Sequence, residues 1–372
     1  MSKKSPFESV HKSMDAVFTE YHGWNMPAHY GNTESESKAL NQSCTIFDLC
    51  PFTKITLKGD QGDELLDKLT ATDLTALTEG KWIWAIICDK KGSLIDIVRL
   101  FRVNGQLTIL ASPSKSEKII KTARQCRKQH GLKNIDIENI TDKTGMLGLY
   151  GPKALEALTT ILPIDISDLQ PGEIIKKSFF MIPVTIIRGS FLGCDGIEML
   201  CSASAASLAA SAVIKYKDRA NISPAGTETF ANAAIETSSP IELINSPHPE
   251  NLSPVSLGLK PLIDFNKDFN GRDAVIKASE KGTPLSLAAV KTKPVEKPHY
   301  NLKVQYDDRE IGFCDRLANI PSNPNAVAMA MIDPQYLDLD TQIQLVSDDM
   351  VMPAELIKLP LDSEKTPDYM TF

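Results

Sequence analysis

The chain has 372 residues, 42% of them hydrophobic and 23% charged, with a formal net charge of −7. That length supports two or three domains around a sizeable core. The acidic balance argues against nucleic acid or an anionic membrane as partner, because both select basic surfaces.

No run of about eighteen apolar residues predicts a membrane helix. The first seventeen residues lack the apolar centre of a secretory signal and the Arg-rich pattern of a transit peptide. Seven scattered cysteines with no C-x-x-C pair fit reduced thiols in a cytoplasm. Six scattered histidines without H-x-x-x-H spacing offer no metal motif, and no G-x-G-x-x-G follows a strand.

In chain order, residues 7–20 have helical periodicity, followed by a loop over 21–30 and a helix over 34–41. Residues 45–49 form a short apolar segment, and "FTKITLKG" (Phe52 to Gly59) alternates as a strand. Asp60 caps a helix over 63–69. Trp82–Cys88, Leu94–Phe101 and Gln106–Ala111 read as an antiparallel meander. A basic amphipathic helix over 114–130 ends at Gly131. Strand, Gly-Pro turn and helix fill 145–162. Residues 180–202 are two strands around a Gly-rich turn, and 204–215 is an Ala-rich helix. A Ser/Pro/Asn-rich loop covers 237–261. A Pro/Lys linker over 291–300 leads into a strand-rich module ending near 360, before a loose tail.

Asp96 stands out. Alternation puts it on the same strand face as Leu94, Val98 and Leu100. A carboxylate on an apolar face must find donors or hold a proton. Backbone amides or an arginine such as Arg99 or Arg188 can meet that need; so can a ligand.

Several strings bear on the choice. "HGWNMPAHY" (His22 to Tyr30) is similar to G-W-x-M-P-x-x-Y, and "IFDL" (Ile46 to Leu49) to F-D-x-S. "DKKGSLIDIVRL" is similar to N-E-x-G-G-x-x-D-D, and "LYGPKALEAL" to L-x-G-P-x-A. "RGSFLGCDGIEM" (Arg188 to Met199) is similar to G-Y-T-G-E-x-G-x-E, and "DFNGRDAVI" to D-F-I-G-R-E-A-L. Residues 309–332 have the shape of a C-terminal I-G-x-V-T-S-G segment. These patterns run in the same order in the T-protein family, the tetrahydrofolate-dependent aminomethyltransferases of glycine cleavage and their relatives, which the chain resembles across its length.

The resemblance implies an α+β fold, a three-domain clover-leaf of the folate-binding aminomethyltransferase type with a C-terminal barrel-like module. The expected domains are 1–52 plus 140–270, 53–139, and 271–372. It implies tetrahydrofolate as cofactor. Asp96 then occupies the catalytic-acid position, orienting the reacting amine and moving its proton. Glu198 occupies the pterin-binding position, where one carboxylate accepts from a ring N–H and an exocyclic amine. Trp84 and Phe191 stand where aromatic rings cover the cofactor. Ser112 stands at a family Asn, and Arg188 is a candidate anion partner.

There are departures. Ile97 replaces a second family Asp, Cys194 the motif Glu, and Phe230 and Ala234 two family arginines. Fold motifs persist while ligand positions change, which fits a changed substrate or a decayed site better than a standard glycine-cleavage enzyme. Three readings follow: a T-protein-like aminomethyltransferase forming methylene-tetrahydrofolate, a folate-dependent methyltransferase or demethylase of a methylated small molecule, and a non-catalytic folate-binding protein. The implied donor is a small molecule or a lipoyl carrier, and the basic helix over 115–128 offers a face for an acidic carrier protein.

Overall fold

The computed structural model describes residues 2–161, 165–179, 181–245, 251–337 and 342–361, together with Pro367 and Met370. Leu162, Phe180, part of the expected 237–261 loop and most of the expected loose tail lie outside the described residues. The chain divides into two compact units. The first comprises Met1–Asp67, Asp73–Ala85 and Ile97–Phe230; the second comprises Lys68–Thr72, Ile86–Asp96 and Ala231–Phe372.

The first unit contains a six-stranded sheet in the order Ile174–Phe179, Ile182–Arg188, Gly196–Ser202, Thr144–Tyr150, Cys44–Asp48, Ile222–Pro224. Its two faces differ in chemistry. Leu147, Leu149, Val184, Ile186 and Ile197 join a core with Ala157 and Leu158 of helix Ala154–Ile161 and with Ala210 and Val213 of helix Ala206–Tyr216. Strand alternation therefore presents Gly148, Tyr150, Gly196 and Glu198 on the other face. The register places Tyr150 opposite Gly196 and Gly148 opposite Glu198.

A five-stranded sheet has the order Trp82–Cys88, Leu94–Val103, Gln106–Ala111, Thr53–Lys58, Asp136–Asn139. The expected meander is its first three strands. Helix Ser116–Gln129 turns Ile119, Ala123 and Cys126 inward, matching its amphipathic sequence.

The N-terminal expectation needs correction. The helix is only Glu8–Ser13, and Asp15, with φ of 56°, ends its surroundings. Val17–Tyr21, mostly expected as the end of that helix, and Trp24–His29, expected as loop, instead pair as an antiparallel hairpin. His22 and Gly23, at φ of 49° and 83°, form its left-handed turn. Pro27 in the second strand disguises it. Residues 237–245 are likewise not all loop, since Ile241–Asn245 is helical.

The second unit contains a closed barrel: Ser286–Thr292, Ala326–Ile332, Arg309–Asn319, His299–Tyr306, Ile343–Ser347 and Met350–Ile357, the last pairing back to the first. Ala326, Ala328, Ala330 and Ile332 pack inward beside Val290, Leu302, Val304 and Leu345. Small alanines on one strand leave room for larger residues from the others, as a narrow barrel needs. Among the described residues no helix is long and apolar enough to cross a membrane.

Candidate functional site

Glu198 is 0% exposed and sits mid-strand on the sheet face away from the helices. The Tyr150 hydroxyl donates to its Oε1 at 2.5 Å and accepts from the Phe191 N–H at 3.3 Å. Sequence explains how Tyr150 fits. A Cβ at Gly196 would fall 2.7 Å from the Tyr150 ring, so only glycine lets the phenol lie across this strand toward the carboxylate.

The other carboxylate oxygen is held by Arg99. Its Nη2 donates to Glu198 Oε2 at 2.5 Å, and the side chain is 1% exposed. The guanidinium carbon lies 4.0 Å from the Phe191 ring centroid, and 5.2 and 5.5 Å from Trp82 and Trp84. These are cation–π distances. Trp82 is pinned by its indole N–H, which donates to the Arg188 carbonyl at 2.8 Å. It also rests on Gly189, where a Cβ would meet the indole at 2.4 Å. Arg99 Nε and Nη1 are buried and have no hydrogen-bond partner.

The aromatic wall continues past Phe191. Phe52 lies 4.1 Å from it, and Phe230 lies 5.6 Å from Phe52 and 5.7 Å from Phe47. Phe230, where the family carries arginine, is thus buried in an aromatic cluster. Electrostatically the carboxylate is unusual. Burial pushes Glu198 above the ordinary glutamate range; Arg99, Tyr150 and Lys54 oppose that without reversing it. Burial beside Glu198 also pushes Tyr150 well up, so it stays a neutral donor.

Lys54 is a buried lysine whose Nζ donates to the carbonyls of Leu49 and Cys50, at 3.1 and 2.9 Å. Burial lowers its pKa to about 8. Arg188 is held within its own turn, Nη2 donating to Asp195 Oδ2 at 2.8 Å, while its Nε and Nη1 are buried and unpartnered. Ser112 is buried after the strand Gln106–Ala111, its carbonyl accepting from the Thr53 hydroxyl at 3.0 Å. The structure therefore brings Glu198, Trp84 and Phe191 together around Arg99, and pairs Arg188 with Asp195.

Asp96 belongs to the second unit and is 0% exposed. The turn before it is tightly made. Asp89 Oδ1 accepts from the Lys91 and Ser93 N–H groups at 2.8 and 3.0 Å, and the Leu94 N–H donates to Leu252 O at 2.7 Å. The turn and the strand read from the sequence are those observed, the strand being buried from Leu94 to Phe101.

Three residues escaped sequence reading as parts of this site. Arg99 was a candidate partner for Asp96, yet it holds Glu198. Tyr150 lay inside the "LYGPKAL" string, but its role needs the register with Gly196. Lys54 lay within the alternating "FTKITLKG" strand without a role of its own. An arginine between Val98 and Leu100 was the available signal, since a cation in an apolar run demands an acid.

A second buried polar cluster in the first unit centres on Asp48. It accepts from Ser5 Oγ, from the Cys50 N–H at 2.9 Å, and pairs with His11 Nε2 at 2.8 Å. The Tyr30 hydroxyl reaches His11 Nδ1 at 2.7 Å. His11, Tyr30 and Asp48 edge an otherwise largely apolar pocket.

Comparison with known proteins agrees with the motif series. The chain is 24% identical to the aminomethyltransferase of Saccharopolyspora erythraea, over 96% of this chain and 97% of that one. It is 27% identical to the aminomethyltransferase of Thermotoga maritima, over 75% and 76%. The crystal structure of glycine cleavage system aminomethyltransferase T from Bartonella henselae superposes with a TM-score of 0.80 at 16% identity, covering 99% of both chains, which shows a common fold. The family model described as the GCVT N-terminal domain matches residues 7–267, well over half of the sequence, and the chain belongs to that family.

Proposed function

We propose that the chain is a tetrahydrofolate-dependent one-carbon transferase of the aminomethyltransferase type. The observation that carries this reading is the setting of Glu198: a fully buried carboxylate among aromatic faces, with a flat N–C–N donor group on one oxygen. The edge of a reduced pterin, a ring N–H beside an exocyclic amine, presents the same donors in the same plane. The donor set and the aromatic walls fit the group.

When bound, tetrahydrofolate supplies the amine nitrogen that accepts the one-carbon unit. Glu198 holds the pterin edge and Tyr150 fixes the rotamer of that carboxylate. Phe191 and Trp84 cover the ring faces and exclude water. Arg188, with Nε and Nη1 unpartnered, is available to an anionic part of the ligand, and Ser112 stands at the family Asn. Asp96 orients the amine and takes up or returns its proton; complete burial and the motif around it support that role. The name shared by the relatives supports an aminomethyl donor, and a lipoyl carrier is the expected bearer of it. Lys118, Lys121, Arg124 and Lys128 are exposed on helix Ser116–Gln129, a face of the right charge for an acidic carrier.

A second reading, methyl transfer from a methylated small molecule, is favoured by one observation: Phe230 packs into the aromatic cluster where the family carries an arginine. Incubating the chain with tetrahydrofolate and an aminomethyl-lipoyl carrier separates the two. Ammonia release with one-carbon transfer is the expected result. Folate binding without turnover on that donor would favour the second reading. Asp96→Asn is expected to retain folate binding and lose turnover about 100-fold or more; full activity in that variant would remove Asp96 from the chemistry.

A further inference from the structure

We propose that Arg99 is a built-in occupant of the Glu198 site, a guanidinium that fills the aromatic box until a ligand with the same flat donor edge displaces it. The inference rests on the folate reading for the identity of that ligand, but not for the occupancy itself. Glu198 Oε2 is the acceptor and Phe191, Trp82 and Trp84 are the walls. Each of these contacts recognises a planar, delocalised cation or amidine by stacking and by in-plane hydrogen bonds.

The box does not saturate its occupant. A guanidinium has five N–H donors, and a buried donor left unmade is costly. In Arg99, Nη2 is engaged, while Nε and Nη1 are buried with no partner. Lys54, equally buried in the same unit, shows the contrast, with two carbonyls held by one ammonium. A structural arginine evolved to stay would be expected to have its fork satisfied. Arg99 instead lies within cation–π distance of three rings and makes one hydrogen bond, as a competing ligand would. Glu198 cannot lose this partner for nothing, because an unpaired buried carboxylate is strongly disfavoured. Exchange is therefore coupled: the incoming edge replaces the guanidinium on Oε2 as the long Arg99 side chain swings away. Folate affinity is lowered by the fraction of molecules in which Arg99 is seated.

The full-length chain, Arg99→Met and Arg99→Ala should be titrated with 5-formyltetrahydrofolate, an oxidation-resistant probe, by calorimetry. Both variants are expected to bind at least about tenfold more tightly than the parent, equivalent to ~1.4 kcal/mol. Methylguanidinium ion at millimolar concentration is expected to raise the melting temperature of Arg99→Ala and to weaken its probe binding, leaving the parent unchanged. Stabilisation by methylguanidinium with no probe binding in any chain would reject the folate reading while upholding Arg99 as occupant. Folded variants that bind the probe no more tightly than the parent, and that ignore methylguanidinium, would overturn the proposal. Should neither variant fold, Arg99→Lys keeps the charge without the flat fork. Tighter probe binding by it supports the exchange, and equal or weaker binding rejects it.

Discussion

Two buried carboxylates in the first unit, Asp48 and Glu198, have opposite electrostatic fates. Burial drives Asp48 upward, but the hydrogen bond and electrostatic attraction of His11, with hydrogen bonds from Ser5 and Cys50, outweigh it, and its pKa ends below the ordinary value. Glu198 has a full guanidinium beside it and still ends above the ordinary value, because burial dominates. The difference lies in donor number and completeness. Asp48 closes a network in which Ser5, His11, Tyr30 and the 50-amide are mutually engaged. Glu198 sits in a box whose cation keeps two unpartnered nitrogens, Nε and Nη1. A closed network locks a fold; an open one suits exchange with a ligand.

The largest expected effect separates the two directly. Asp48→Ala strips an acceptor from three donors and should lower unfolding free energy by about 3–5 kcal/mol, read from urea denaturation. A loss under ~1 kcal/mol would place Asp48 outside the structural core of the unit. By contrast, the double variant Arg99→Met/Glu198→Gln removes both charges and should stay within about 1–2 kcal/mol of the parent. A collapse as severe as that of Asp48→Ala would make the box a structural lock as well.

Acid titration sharpens the comparison through opposite slopes. Asp48 has a depressed folded pKa, so the unfolded state binds its proton first. Its contribution is present above the unfolded value of 3.8 and lost as pH falls through the folded one. Glu198 has a raised folded pKa. The folded state binds that proton more tightly, so stability from this group falls as pH rises from 4.5 toward the folded value. Glu198→Gln should remove that decline from the stability-versus-pH curve; an unchanged curve would show that the carboxylate does not titrate as described.

Lys54 gives the smallest test. Its folded pKa of about 8 lies below the ordinary 10.5, so the unfolded state holds more protons between those values and stability should rise with pH there. Lys54→Met should flatten the segment from about pH 8 to 9.5, below the range in which tyrosines ionise. A parent curve already flat there would mean that Lys54 is solvated in the native state.

Much of this organisation was legible before the structure. The turn at Asp89–Gly92, the three-strand meander and the helix at Ser116–Gln129 were visible because turn chemistry, period and capping agreed with one another. The hairpin at Val17–His29 was not, because His22 must adopt a left-handed backbone that a non-glycine residue does not announce. Glu198, Trp84 and Phe191 were legible as ligand positions through motif likeness. The guanidinium among them was not, since Arg99 and Glu198 are ninety-nine positions apart and lie on strands of different sheets, which only tertiary packing brings together. Arg188 shows the reverse. Its sequence position offered an anion partner, and its own turn supplies Asp195.

The most direct test of the account is a double-variant binding cycle. Trp82 and Trp84 report on the box by fluorescence as 5-formyltetrahydrofolate is added to Arg99→Met and to Arg99→Met/Glu198→Gln. If Glu198 is the anchor of the pterin edge, the second chain should bind about 30-fold or more weakly than the first, the weight of a buried charge-assisted hydrogen-bond pair. Equal affinity in the two chains would contradict it.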